Sequence, residues 1–294
     1  MKAMKSFDEY RAAVENALGT VFRTLGPVPD ALRNAMQYSL SAGGKRLRPV
    51  LLLAACEMAG GTEETALPFA CAVEMIHTYS LIHDDLPAMD NDDLRRGKPT
   101  SHKVFGEGMA VLAGDGLLNA AVELMSGSVL RSFDIRHVKA MEIIMRHAGV
   151  TGMIAGQAMD LQAEGGPPDE QLLRYIHHHK TADLLMAPVE AGLLLGGADD
   201  AAIAAGSAFA FHLGLAFQMT DDLLDVIGDA HLLGKETGKD AEQHKLTWVS
   251  VRGVGETRRD AEKETELALQ ALEKLPGDHM LLQSITRQMT GRKQ

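Results

Sequence analysis

Two runs of aspartate carry the chemistry most plainly. In HTYSLIHDDLPAMDNDDLRRGKPTSH, Asp84, Asp85, Asp90, Asp92 and Asp93 fall within ten residues, and Arg95 and Arg96 follow at once. Carboxylates held about 4 Å apart repel by roughly 4 kcal/mol at an effective dielectric near 20, so converging them calls for a cation. Carboxylate and water ligands suit Mg²⁺ or Mn²⁺. The second run, FQMTDDLLDVIGD, sets Asp221 and Asp225 four apart and Asp222 and Asp225 three apart, which places all three over one helical face. One such run is equally well read as a solvated helix end. Two, each terminating a long apolar stretch, point to helices whose acids meet across one cavity.

Basic residues surround these runs. Gly43-Gly44-Lys45-Arg46-Leu47-Arg48 precedes the first, Arg95-Arg96 follows it, and Lys235, Lys239 and Lys245 follow the second. Arginine forks and lysine point charges around a metal site are what a phosphate-rich substrate requires. Neither lysine of GKETGKD belongs to a Walker loop, because Lys239 is followed by Asp240 and the earlier glycine is missing. An EF-hand fails too: Leu94 and Arg95 occupy the fifth and sixth positions of the loop that Asp90 would open. His177, His178 and His179 are consecutive, and consecutive residues of an α-helix point about 100° apart, so the three are not expected to share a metal ion. The 16 methionines are read as core filling.

The elements that must position these groups are helical. Leu and Ala outnumber β-branched residues, and strict two-residue alternation is hard to find. Phe7, Tyr10, Val14, Leu18, Val21 and Leu25 recur at helical steps. Pro29 and Asp30 open a second helix, and Pro49 marks the start of a third that closes at Gly60 and Gly61. A fourth is expected from about 64 to 85, stopping before Pro87. Later helices are expected over about 107–132, 137–163, 169–196, 200–228 and 256–275. Between Asp200 and Asp221 lie twenty residues without a formal charge, long enough to span a bilayer, but rich in Ala and Gly and running directly into acids. They are read as a buried central helix, with no transmembrane segment expected.

The 294 residues are 46% hydrophobic, 23% charged and 4% aromatic, and no linker divides them, which predicts one domain over 1–294 with a large core. A net charge of −11 without a basic stripe disfavours nucleic-acid binding. Cys56 and Cys71 sit in apolar runs, as free thiols of a reducing compartment do, and the N-terminal segment lacks a secretory pattern, so a cytoplasmic protein is expected.

With these residues assembled, the chain resembles the trans-isoprenyl diphosphate synthases, and among them the bacterial farnesyl diphosphate synthase type. The resemblance runs from GGKRLRP at Gly43 through Asp84-Asp85-x4-Asp90 with Arg95-Arg96, GQAMD at Gly156, Lys180-Thr181 and FQMTDDLLD to GKETGKD at Gly234. It implies an all-α isoprenoid synthase fold, a bundle of ten or more helices around a central cavity, commonly a homodimer. It implies three Mg²⁺ ions, with Mn²⁺ as an alternative, on Asp84, Asp90 and Asp221, supported by Asp85, Asp222 and Asp225. An allylic diphosphate would meet Arg95, Lys180, Thr181, Lys235 and Gln218. Isopentenyl diphosphate would sit on Lys45, Arg48, His77 and Arg96.

The implied reaction is a condensation in which the allylic carbon–oxygen bond breaks and the double bond of isopentenyl diphosphate attacks the resulting cation. A bulky aromatic residue at Tyr79, with Ser80 beside it, would floor the cavity one turn below Asp84 and favour a fifteen-carbon product; an ordinary core tyrosine is the alternative. Geranylgeranyl or geranyl diphosphate synthesis, a terpene cyclase and a noncatalytic synthase subunit remain competing readings. Two departures from the family pattern stand out, Ala182 for a glycine and Trp248 for a tyrosine, and neither is expected to touch the acidic runs. The basic tail MTGRKQ could cover the isopentenyl site or fray.

Overall fold

The computed structural model describes residues 4–23, 26–227 and 245–291. Ser6 starts helix α1 (Phe7–Leu18): its side chain caps the Glu9 N–H while Glu9 reaches back to Ser6, a reciprocal capping box. Tyr10, Val14 and Leu18 form the buried stripe of α1, and Val21 joins them from a short 3₁₀ turn; Leu25 lies outside the described residues. There follow α2 (Asp30–Leu40), α3 (Leu47–Met58) and the long α4 (Glu63–Asp84), which Thr62 caps at one end and Asp85 at the other. Asp84 and Asp85 thus occupy the C-terminal end of α4, where the helix dipole is negative and a carboxylate is disfavoured unless cations answer it.

A two-residue hairpin, β1 (Leu94–Arg95) and β2 (Lys98–Pro99), is a small exception to an otherwise helical chain. Its turn residues Arg96 and Gly97 both have positive φ, 55° and 74°, the pattern of a type I′ turn that matches strand twist. Then come α5 (Ser101–Phe105), α6 (Glu107–Ser132), α7 (Ile135–Ala148), α8 (Met153–Ala163) and α9 (Glu170–Ile176). A π turn (His177–Ala182) leads into α10 (Asp183–Gly196), followed by α11 (Asp200–Ile227), α12 (Trp248–Leu272) and α13 (Met280–Thr290).

The buried centre is α10 together with α3, whereas the uncharged run of α11 was expected to fill that place. α10 is buried at nearly every position from Asp183 to Leu195 and packs on α3, α7 and α11. Gly192 and Gly196, four apart, lie against the α3 backbone: a Cβ on either would come within 2.4 Å of the Leu52 or Cys56 carbonyl oxygen. α11 buries Phe209, Ala210, Leu213 and Ala216 against α10 and α12 but leaves Ala201 and Ala204 exposed. By length and composition alone α4, α6 and α11 are each apolar enough to cross a membrane; here they pack within the bundle, α4 on α6 and α11 on α12. One hydrophobic cluster runs from Tyr10 to Met289, and Cys56 and Cys71 are free thiols inside it, pushed up to about 12 by burial.

Three boundaries differ from expectation for local reasons. The stretch 137–163 breaks at Gly149-Val150-Thr151-Gly152, where two glycines flank two β-branched residues. The helix expected at 256–275 begins at Trp248, because Thr247 and Ser250 form a capping box, and kinks at Gly253 (φ 76°, ψ 160°). α13 was not expected, although Leu282, Ile285, Thr286 and Met289 lie at helical steps and are buried. The first two residues of the basic tail end this helix; 292–294 lie outside the described residues.

Candidate active site

The first acidic group is built by the end of α4 and the loop after it. The Asp90 N–H donates to the Asp84 carbonyl at 2.9 Å, which folds Asp90 back beside the helix end. Arg95 donates from Nε at 2.9 Å and Nη2 at 2.5 Å to Asp85 Oδ1, and Lys245 Nζ lies 3.4 Å from Asp90. Burial pushes the Asp84 carboxyl up to about 6; Lys180 opposes the shift and Asp90 adds to it.

The second group is set on α11. Asp222 is buried and accepts hydrogen bonds from Gln218 Nε2 at 3.0 Å and from the Trp248 backbone N–H at 2.7 Å. Burial also pushes Asp222 up to about 6, against these two donors, and Asp225 adds to the rise. Asp225 is buried beside it and Asp221 is half-buried. Trp248 therefore touches the acidic run directly, contrary to expectation. It is fully buried, its indole Nε1–H donates to Asp260 at 3.0 Å, and Arg174 covers its ring. Ala182, the other departure, packs tightly against Gly214 of α11.

Between the two groups stands Lys180 on the π turn. Its Nζ lies 2.5 Å from Asp160 of α8, and its charge acts on Asp84 and Asp90, while Asp160 acts on Asp222. Thr181 donates to Gln218 Oε1 at 2.9 Å, so the turn also orders the amide that holds Asp222. Asp160 was not singled out from sequence. It ends the quoted GQAMD segment, but nothing in linear spacing brings residue 160 to residue 180.

A separate cluster gathers cations. Arg48 Nη1 lies 3.3 Å from His77 Nε2, and Arg96 reaches the Gly43 carbonyl. A Cβ on Gly44 would fall 2.5 Å from the Arg96 guanidinium carbon, and Gly44 has φ +120°, so this loop accepts the arginine only as glycine. Burial, with Arg96 nearby, lowers Arg48 to about 10, and burial with Arg48 and Arg96 holds His77 well below the usual imidazole range. Among the described residues the Arg48 Nε–H is buried without a hydrogen-bond partner. Lys45 stands two residues before Leu47, the first residue of α3. Arg46 takes no part in this cluster: it is buried on Glu15, Glu74 and the Leu40 carbonyl. His77 and Asp84 are seven residues apart on α4, about 10 Å along its axis, so one helix serves the cationic cluster and the acidic group.

Tyr79 is buried and meets His83 edge-on at 5.8 Å, while Ser80 donates to the His77 carbonyl at 3.0 Å. Neither lines the small pocket beside Asp85, Arg95 and Arg96, nor the cleft of about 770 Å³ bordered by Leu223, Leu224, Ala261 and Thr265. Lys235 and Lys239 lie outside the described residues.

Both acidic groups have a donor set suited to Mg²⁺. Three carboxylate oxygens do not converge within 4.8 Å in either group among the described residues. Mg²⁺ typically takes one or two carboxylates and completes its shell with water and substrate phosphate. Asp85 and Asp222 are each held by protein donors, and Asp84, its carboxyl pushed up by burial, is the kind of group a divalent cation would bring back to its ionised form.

The sequence model of the polyprenyl synthetase family matches residues 29–288. The chain is 50% identical over 242 residues to the farnesyl diphosphate synthase of Geobacillus stearothermophilus, which covers 82% of this chain and 81% of that one. It is also 50% identical over 236 residues to the chloroplastic geranylgeranyl pyrophosphate synthase of Catharanthus roseus, covering 80% and 66%. The crystal structure of a geranyltransferase from Helicobacter pylori, complexed with magnesium and isoprenyl diphosphate, superposes with a TM-score of 0.82 at 33% identity over 98% of both chains. An all-α bundle with two aspartate groups around a half-buried lysine thus has its place: the chain belongs to the polyprenyl synthetase family. Within it, the chain is a short-chain trans-prenyltransferase.

Proposed function

We propose that the protein condenses isopentenyl diphosphate with dimethylallyl or geranyl diphosphate, releasing diphosphate, to make farnesyl diphosphate. The observation that carries this reading is the pairing of an acidic site with a cationic one on α4. Arg48, Arg96 and His77 gather where Arg48 has a buried N–H without a partner, which suits a diphosphate needing no metal of its own. Asp84, Asp90 and Asp221, supported by Asp85, Asp222 and Asp225, would hold Mg²⁺, which supplies charge stabilisation as the allylic diphosphate departs.

The chain's own residues do the rest. Lys180 and Arg95, fixed by Asp160 and Asp85, present positive charge to the leaving group, joined by Lys235, while Thr181 and Gln218 keep that end ordered. Lys45, Arg48, His77 and Arg96 hold isopentenyl diphosphate so that its double bond attacks the allylic carbon. One carbon–carbon bond forms as the carbon–oxygen bond breaks, and the proton lost from the isopentenyl unit passes to the released diphosphate. Water must be kept from the reacting carbons, because it would otherwise capture the cation.

Tyr79 supports the fifteen-carbon product, being a buried aromatic side chain just over one turn before Asp84. The equal identity to a geranylgeranyl synthase favours a twenty-carbon product as the second reading. We read the chain as one cytoplasmic domain acting as a homodimer, for which exposed Leu112 and Leu130 on α6 and Ile135 on α7 offer apolar surface. Incubation with isopentenyl diphosphate, each allylic starter and Mg²⁺, followed by phosphatase treatment and sizing, tests the proposal: a C15 alcohol is expected. A C20 main product supports the second reading, and cyclic hydrocarbons exclude elongation.

A further inference from the structure

The expectation that the three histidines cannot chelate together assumed a regular α-helix. His177–Ala182 is instead a π turn, in which the Asp183 N–H bonds to the carbonyl of His178, five residues back. In that wider turn a residue and its fifth neighbour share a face, while α-helical spacing continues to align His179 with Asp183. The result is a convergence on one carboxylate. His179 Nδ1 lies 2.8 Å from Asp183 Oδ2, and His178 Nε2 lies 3.8 Å from Asp183 Oδ1. The two imidazole rings stack at 4.2 Å, and one donor atom from each of the three residues lies within 4.8 Å of the others. His177 faces away, toward Asp222 and Trp248.

We propose that His178, His179 and Asp183 form a binding site for a divalent transition metal of the Zn²⁺ class, separate from the aspartate groups. Two imidazole nitrogens and a carboxylate oxygen are a ligand set that selects such metals over Mg²⁺, with a fourth position left for water. The supporting layer is in place: His147 Nδ1 lies 2.6 Å from Asp183 Oδ1 and fixes the carboxylate from behind, and its own Nε2 meets Glu190 at 3.2 Å. Tyr175 and Phe211 wall the rings, and the His178 side chain, 37% exposed, opens the site to solvent. An ion here clamps the turn to α10 next to Lys180 and Thr181.

The test is equilibrium dialysis of the whole protein against ZnCl₂ in a large excess of MgCl₂, which fills the oxygen-ligand sites, with bound zinc measured by elemental analysis. The wild-type protein is expected to retain one zinc equivalent that His178→Gln/His179→Gln lacks, with affinity falling by about tenfold or more. Matching circular dichroism spectra establish that the double variant is folded; should it not fold, His178→Gln alone, at a half-exposed position, carries the comparison. Equal zinc retention by wild type and variant, or none by the wild type, overturns the proposal. Loss of prenyl transfer is not the readout, so this result stands apart from the reading of the aspartate site.

Discussion

Lys180 Nζ and Asp160 Oδ2 lie 2.5 Å apart, and this pair separates the two aspartate groups. Asp160 draws the lysine toward α8; the next carboxylates acting on Lys180 are Asp84 and Asp90. In Asp160→Asn the ammonium should turn to those acids and compete with the cation they bind. The Mg²⁺ concentration at half-maximal activity should therefore rise several-fold, with the circular dichroism spectrum unchanged. A magnesium titration of the variant checks this, and an unaltered midpoint contradicts the positioning role.

Asp84 and Asp222 titrate near 6 in the folded protein, above the usual carboxylate value. The stability they contribute is full below the ordinary value near 4 and is lost as pH rises through about 6. The metal-free protein should thus lose stability across that window from these two groups. Mg²⁺ requires their ionised forms, so the rise in Tm on adding Mg²⁺ should be larger at pH 8 than at pH 5.5. Thermal melts with and without the metal at both values measure the difference.

Gly44→Ala places a methyl group against the Arg96 guanidinium at a backbone angle that favours glycine. A cost of about 1–3 kcal/mol is expected in chemical denaturation. Because Arg96 belongs to the cationic cluster, KM for isopentenyl diphosphate should rise while KM for the allylic substrate changes little.

Tyr79→Ala removes a buried ring that packs on His83. Longer products should appear in the sizing assay, with a loss of about 3–5 kcal/mol in stability, as for other large-to-alanine changes in cores. Unchanged product length would locate the floor elsewhere.

Much of this was legible because helical periodicity and aspartate spacing are local. The end of α4 before Pro87, the bounds of α6 and the grouping of Asp221, Asp222 and Asp225 follow from neighbours in sequence. What escaped depends on contacts between distant segments or on irregular backbone. The uncharged run of α11 looks more buried than it is, because alanine suits a half-buried helix as well as a core; α10 takes the centre through close approach at Gly192 and Gly196. Asp160 joins the site only because α8 meets the π turn. Trp248 reaches Asp222 through its main-chain N–H, a donor that no residue type announces. The convergence of His178 and His179 on Asp183 arises from the same turn, whose hydrogen-bond spacing the sequence does not declare.

That turn also bears on how the chain tolerates insertion and deletion. Excising a single residue between His177 and His179 would let regular α-helical bonding run from Glu170 to Gly196, a change the backbone itself would favour. The wider turn holds one residue more than an α-helix needs, so α9 and α10 would keep their register relative to each other. The wider turn itself presents Lys180 to Asp160 and Thr181 to Gln218, so these two side chains would lose their aim, and a one-codon shortening here should give a sturdier but inert protein.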